Sequence, residues 1–359
     1  MDEKIKNAVL HIYCDYKAIL NYILTCLNNK LDYSSYMGVM PFFCMYVVEG
    51  YDFLCKNQLI NPDCVSKKDL TKLKKCRALG VKLHSEFKQS TFDSINDFNR
   101  DEYLKFYKMA FPNSKPRMLP IVDNYFISCV ADSPVGNYHL YSKKVLNMEI
   151  GAYIPNISQK VYEFAYLLSS FSTKIVVAID QSLNIKDMGT KNIQINFDYV
   201  DMNMAYGYSH FRIKKSPPIL MAFLDILCVL NSYRKIFTLI NDDAVFDLKV
   251  KYTILFYSVL SINSIVGYCD ENDINIKMDT ELISYIADIE SKYIKNKIRK
   301  FCMHYDYPIT TCGENPFTEI YEKEFGKSLE EVSKDVSLVI ETLSERLQRY
   351  LIVRGFHTV

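Results

Sequence analysis

Arg299 and His304, separated by four residues, lie in the stretch Lys292–Pro308, KYIKNKIRKFCMHYDYP. Lys292, Lys295, Lys297, Arg299 and Lys300 put five cations within nine positions, and Tyr305 and Tyr307 flank Asp306 just beyond the histidine. An imidazole is the side chain that exchanges protons readily near neutral pH. A guanidinium is permanently charged, and its planar fork suits a phosphate. Together they are the groups needed to hold or cut a phosphodiester. Lys300 and His304 are i,i+4 neighbours and share a helix face. Arg299 and His304 are five apart, so on one helix they diverge by about 140° around the axis.

The elements expected to carry these residues are helices. Apolar residues recur at helical spacing through 8–30, with Val9, Ile12, Tyr16, Ile19, Ile23 and Leu27 near one stripe. Pro41–Leu59 reads as a second helix, broken at Asn61-Pro62-Asp63, and Ser66–Phe87 as a third with a basic face. Asp101–Ala110 reads as a short aromatic helix, Met118–Val130 as helix or strand, and Lys160–Ser170 as helix. Thr173–Asp180 and Ile193–Val200 are rich in β-branched and aromatic residues, the second in period two, which raises a small β insertion or hairpin around 173–213.

After Ser216-Pro217-Pro218, four long helices are expected, connected by short loops. They are Ile219–Leu239, Asp247–Ile265, a helix from the N-cap Asp279 to about Tyr307, and a last one opened by the capping box Ser328 with Glu331. The expected fold class is therefore mainly α. A mostly helical N-terminal region, 1–216, precedes a helical bundle, 217–359.

Composition narrows the function classes. The formal net charge of +1 implies no bulk attraction to nucleic acid, so any such contact must come from a local patch. Lys67, Lys68, Lys72, Lys74, Lys75 and Arg77 form a second cationic run, which reads as a solvated helix face. The 11 cysteines show no C-x-x-C spacing and no paired Cys/His ligands, so neither a zinc site nor a disulfide framework is indicated. Cys14, Cys26, Cys44 and Cys55 read as small buried hydrophobes of a cytoplasmic protein. The longest uncharged run, Tyr252–Cys269, carries Thr253, Ser258, Ser261, Asn263, Ser264 and Gly267, and reads as a buried helix, with no membrane association expected. No dinucleotide fingerprint, P-loop, H-E-x-x-H or nucleophile-elbow motif is present.

The arginine, four residues and histidine near the end of a long helix in a helical bundle resemble the R-x4-6-H motif of the HEPN superfamily. The resemblance covers roughly Pro217–Leu351. Arg77 and His84 also satisfy the spacing, but Gly80 interrupts their pattern and they lie outside the bundle. Two positions differ from the family's common pattern: Lys300 follows the arginine, and Asp306 stands two after the histidine.

The resemblance implies a metal-independent endoribonuclease, without cofactor, of the kind found in toxin–antitoxin and antiviral defence systems. His304 would be general base or acid and Arg299 the stabiliser of phosphoryl charge, with Lys295, Lys300 and Tyr305 contacting the substrate. RNA is then the expected partner, alongside a protein partner or antitoxin. The divergence of Arg299 and His304 implies a homodimer whose two copies share a cleft. The competing expectation is a catalytically inactive HEPN-like scaffold that binds RNA or a protein.

Overall fold

The computed structural model describes residues 2–31, 35, 38–83, 153–194, 216–305 and 316–353. Helix α1 spans Glu3–Asn28, α2 Met40–Lys56, α3 Lys67–Leu83 and α4 Tyr153–Ile179. Helix α5, Ser216–Ser232, continues through a wider π-type turn at Tyr233–Phe237 into Thr238–Ile240. Then follow α6 Ala244–Glu271, α7 Thr280–Tyr293, α8 Asn296–His304, α9 Pro316–Phe325 and α10 Leu329–Val353. The chain is mainly α, and the described residues contain no strand.

Helix α1 begins where the Asp2 carboxylate accepts from the Lys4 N–H, and it buries Ala8, Ile12, Tyr16, Ile19 and Ile23 at helical spacing. It packs against α2 and α4. Gly50 sets the α1–α2 distance, since a Cβ there would sit 2.8 Å from the Tyr16 ring. Helices α2 and α3 form an antiparallel hairpin across the break at Asn61-Pro62-Asp63, where the Asn61 side chain accepts from the Asp63 N–H at 2.9 Å.

Helix α6 is the central element. Asp243 caps it, accepting from the Phe246 N–H at 2.8 Å. Its buried residues include Val250, Tyr252, Ile254, Leu255, Phe256 and Tyr257 in close succession, so it is enclosed on nearly all sides. By length and composition it could cross a membrane, yet 72% of its apolar window is buried inside the protein. Helices α5, α7, α8 and α10 pack around it, and so do α1 and α2.

One hydrophobic core therefore runs across the boundary expected at 216/217. Tyr22 and Phe43 from the N-terminal side pack against Phe237 and Phe246, with ring centroids 5.5–6.1 Å apart. The Tyr46 hydroxyl donates to the Lys249 carbonyl at 3.0 Å and meets Thr253 Oγ1 at 2.7 Å. Deeper still, the Lys249 ammonium pairs with Asp15 of α1, both almost wholly buried.

Three expectations change. Thr173–Ile179 is the last turns of α4, not a strand. Phe164, Leu168, Phe171 and Ile175 continue one buried helical stripe, and that packing overrides the β preference of Thr173, Ile175 and Val176. Ile193 and Gln194 are irregular, and the remainder of 195–215 lies outside the described residues, as do Asp101–Ala110 and Met118–Val130. The helix expected from Asp279 to about Tyr307 is two helices with an extended step at Ile294–Lys295. Neither proline nor glycine makes this break. The Tyr252 hydroxyl accepts from the Lys295 N–H and donates to the Lys295 carbonyl, each at 3.0 Å, so both backbone groups are satisfied outside a helix. Finally, of the four cysteines expected to be buried, Cys26 and Cys44 are, Cys55 is half-buried and Cys14 is exposed.

Candidate functional site

The nine residues of α8 carry both chemistry-bearing groups. Ile298, Phe301, Cys302 and Met303 face the core and fix the helix against α2 and α6. His304 ends the helix and Tyr305 follows in the left-handed region, with φ 52°. That turn swings Tyr305 inward. Its ring is fully buried, and its hydroxyl donates to Asp15 Oδ2 at 2.7 Å. The Lys249 ammonium lies over the same ring at 4.7 Å. Tyr305 was expected to contact substrate; wholly enclosed and hydrogen-bonded in the core, it is a structural residue.

His304 reaches α2. Its Nδ1 lies 2.9 Å from Glu49 Oε2, and the imidazole keeps 36% of its side-chain surface exposed. The other oxygen of Glu49 pairs with the guanidinium of Arg77 on α3. Next along the hairpin, Lys74 pairs with Asp52 at 3.3 Å. The cationic run on α3, expected to be a solvated face, thus gives Lys74 and Arg77 to carboxylates of α2. Burial would raise the Glu49 carboxyl. The hydrogen bond with His304 and the charge of Arg77 more than offset this, and hold it below the usual carboxylate range.

Arg299 turns toward α6. Its guanidinium lies over the Phe256 ring at 5.7 Å, and its Nε is buried without a hydrogen-bond partner. It also stands beside the Tyr257 hydroxyl, which donates to Met303 Sδ at 3.3 Å. Burial raises the Tyr257 phenol, Arg299 and Arg77 act against that rise, and Glu49 adds to it. Tyr257 therefore feels Arg299, Arg77 and Glu49 together, and these groups with His304 form one neighbourhood.

Lys300 is exposed. Lys295 opens α8, about 14 Å of helix from His304, and its Nζ donates to the Ser291 carbonyl at 2.9 Å. It lines a separate cleft of about 290 Å³ with Lys292, Tyr293, Phe325 and Lys327. Along α8, Lys295 and His304 therefore stand at opposite ends with Arg299 and Lys300 between them, and Arg299 and His304 leave the helix toward different neighbours, α6 and α2. Among the described residues, no three His, Cys, Asp or Glu side chains gather as metal ligands.

No family model, curated protein or solved structure matches this chain. The site is therefore described by its own geometry.

Sequence reasoning missed Glu49 and read Arg77 as part of a solvated face. One signal for Glu49 exists: it is the only charged residue in the apolar run Pro41–Gly50, and an isolated charge on an otherwise buried helix demands a partner. That partner lies 255 residues away in the chain, so spacing cannot name it.

Proposed function

We propose that the chain is a metal-independent endoribonuclease of the HEPN type, with His304 as proton acceptor and Arg299 as the stabiliser of phosphoryl charge. The observation that carries this reading is His304 itself. It is a partly exposed imidazole at a helix end, held through Nδ1 by a carboxylate at 2.9 Å, five residues beyond an arginine on the same helix.

The chemistry follows from those groups. The ribose 2′-OH attacks the adjacent phosphorus, forming the O2′–P bond as its proton passes to His304. The P–O5′ bond breaks, and the leaving O5′ takes a proton from water. Arg299 offsets charge developing on the non-bridging oxygens. Exposed Lys300 adds a point charge for the strand, without the fork of a guanidinium. The products are a 2′,3′-cyclic phosphate and a 5′-hydroxyl. A setting in toxin–antitoxin or antiviral defence accords with the R-x4-H resemblance. Incubation of the purified chain with total RNA in EDTA, followed by end-group analysis, tests the reading.

A second reading has its own observation. Arg299 is engaged on Phe256 with Nε buried, which favours a structural arginine in a catalytically inactive HEPN-like scaffold that binds RNA or a protein. RNA that is bound but left intact, measured by fluorescence anisotropy beside the cleavage assay, supports that alternative.

A further inference from the structure

Among the described residues, the N-terminal helices meet the end of α8 at two polar points, Asp15 with the buried Tyr305 and Glu49 with the partly exposed His304. Glu49 bridges His304 of α8 and Arg77 of α3, using one carboxylate oxygen for each. Its side chain is only 16% exposed, while His304 is 36% exposed, so the carboxylate sits beneath the imidazole. The backbone that carries Glu49 is fixed by its neighbours. Gly50 brings α1 into contact, the Tyr16 hydroxyl donates to the Val47 carbonyl, and Tyr46 is tied to Lys249 and Thr253.

The hydrogen-bond inventory then decides where a proton must be. Glu49 is held below the usual carboxylate range, so near neutral pH it is ionised and can only accept. The proton in the Glu49–His304 bond therefore belongs to Nδ1. A neutral imidazole that donates from one nitrogen is an acceptor at the other.

We propose that Glu49 is a positioning residue for His304: it fixes the neutral ring as the Nδ1–H tautomer and presents Nε2 as the proton acceptor, while Arg77 holds the carboxylate in that orientation. This rests on the ribonuclease reading for its use, but the tautomer itself does not depend on it. It also gives the N-terminal hairpin a part in the site, supplied in cis.

The test uses the full chain labelled with ¹⁵N-histidine, with the His304 ring signals assigned from His304→Gln. Spectra are taken at about pH 8.5, some two units above the ordinary imidazole value. The parent is expected to show a neutral His304 ring protonated at Nδ1. Glu49→Ala should release the ring to a mixture of tautomers, and Glu49→Gln, whose one amide oxygen is held by the donor-only Arg77, should present its NH2 to Nδ1 and turn the ring to Nε2–H. In the cleavage assay Glu49→Ala and Glu49→Gln should each lower kcat by about 10⁴-fold, the loss seen when a catalytic histidine loses its orienting carboxylate, with KM little changed. A parent ring protonated at Nε2, or a tautomer that Glu49→Ala leaves unaltered, overturns the proposal, and the parent spectrum needs no variant to fold. The expected tautomer without RNA cleavage supports the positioning role and counts against the ribonuclease reading alone.

Discussion

His11 is the residue whose environment makes the sharpest prediction outside the site. Its ring stacks on Phe317 at 6.0 Å and meets Phe301 edge-on at 6.4 Å. Burial first, and the charge of Lys249 second, push its imidazole down from 6.5 to about 4. Between those values the unfolded chain binds the proton that the folded chain refuses, so stability rises with pH. His11 contributes fully above the ordinary imidazole value, and the contribution is lost as pH falls from about 6.5 toward 4, by about 3 kcal/mol. Urea unfolding of the parent and His11→Phe across that window should show a shallower fall for the variant, and equal slopes would contradict the assignment. At this scale the sequence is legible where residues are near in the chain: Arg299 and His304 share one short helix, as their spacing implies. The contacts of Glu49 and Arg77 are not legible, because long-range packing creates them. Tyr305 misleads for a related reason: its place in an aromatic, charged run suggests exposure, while a left-handed backbone step turns it into the core.

Elements are more readable than contacts. The caps at Asp279 and Ser328 form as expected, while the helix expected from Asp247 starts three residues earlier on an Asp243 cap, and most helix spans follow from the apolar stripes. What the stripes cannot reveal is the break at Ile294–Lys295, since its cause is the hydroxyl of Tyr252 on another helix. A second tie of that kind, Lys249 with Asp15, joins α6 to α1, and Tyr305 adds the end of α8. Removing one member of a buried pair leaves an uncompensated charge, so Lys249→Met should cost about 3–5 kcal/mol. Asp15→Leu combined with Lys249→Met should cost much less than the sum of the single changes. A double-mutant cycle in urea measures this, and strictly additive losses would show that the pair is not coupled.

Over the whole molecule, the mainly α class was open to reading and the shared core was not. The Ser216-Pro217-Pro218 punctuation marks a helix start, yet Tyr22, Phe43 and Tyr46 pack directly against residues after it. Punctuation reports local backbone, whereas a core is made by faces that meet from far apart. Assembly is a prediction at this scale. Arg299 leaves α8 toward α6 and His304 toward α2, so a homodimer paired about α8 would present both kinds of group to one strand. Sedimentation at micromolar concentration should find a dimer, and a monomer that still cuts RNA would contradict it.

The most direct measurement is RNA cleavage in EDTA by the parent chain beside His304→Ala, Arg299→Ala and Lys300→Ala, with folding checked by circular dichroism. The parent should cut and leave 2′,3′-cyclic phosphate ends. His304→Ala should lose about 10²–10⁴-fold in rate. Arg299→Ala should lose about 10²–10³-fold, and Lys300→Ala less than either. A His304→Ala chain that cuts as fast as the parent, or cleavage that disappears on chelation, would contradict the ribonuclease account.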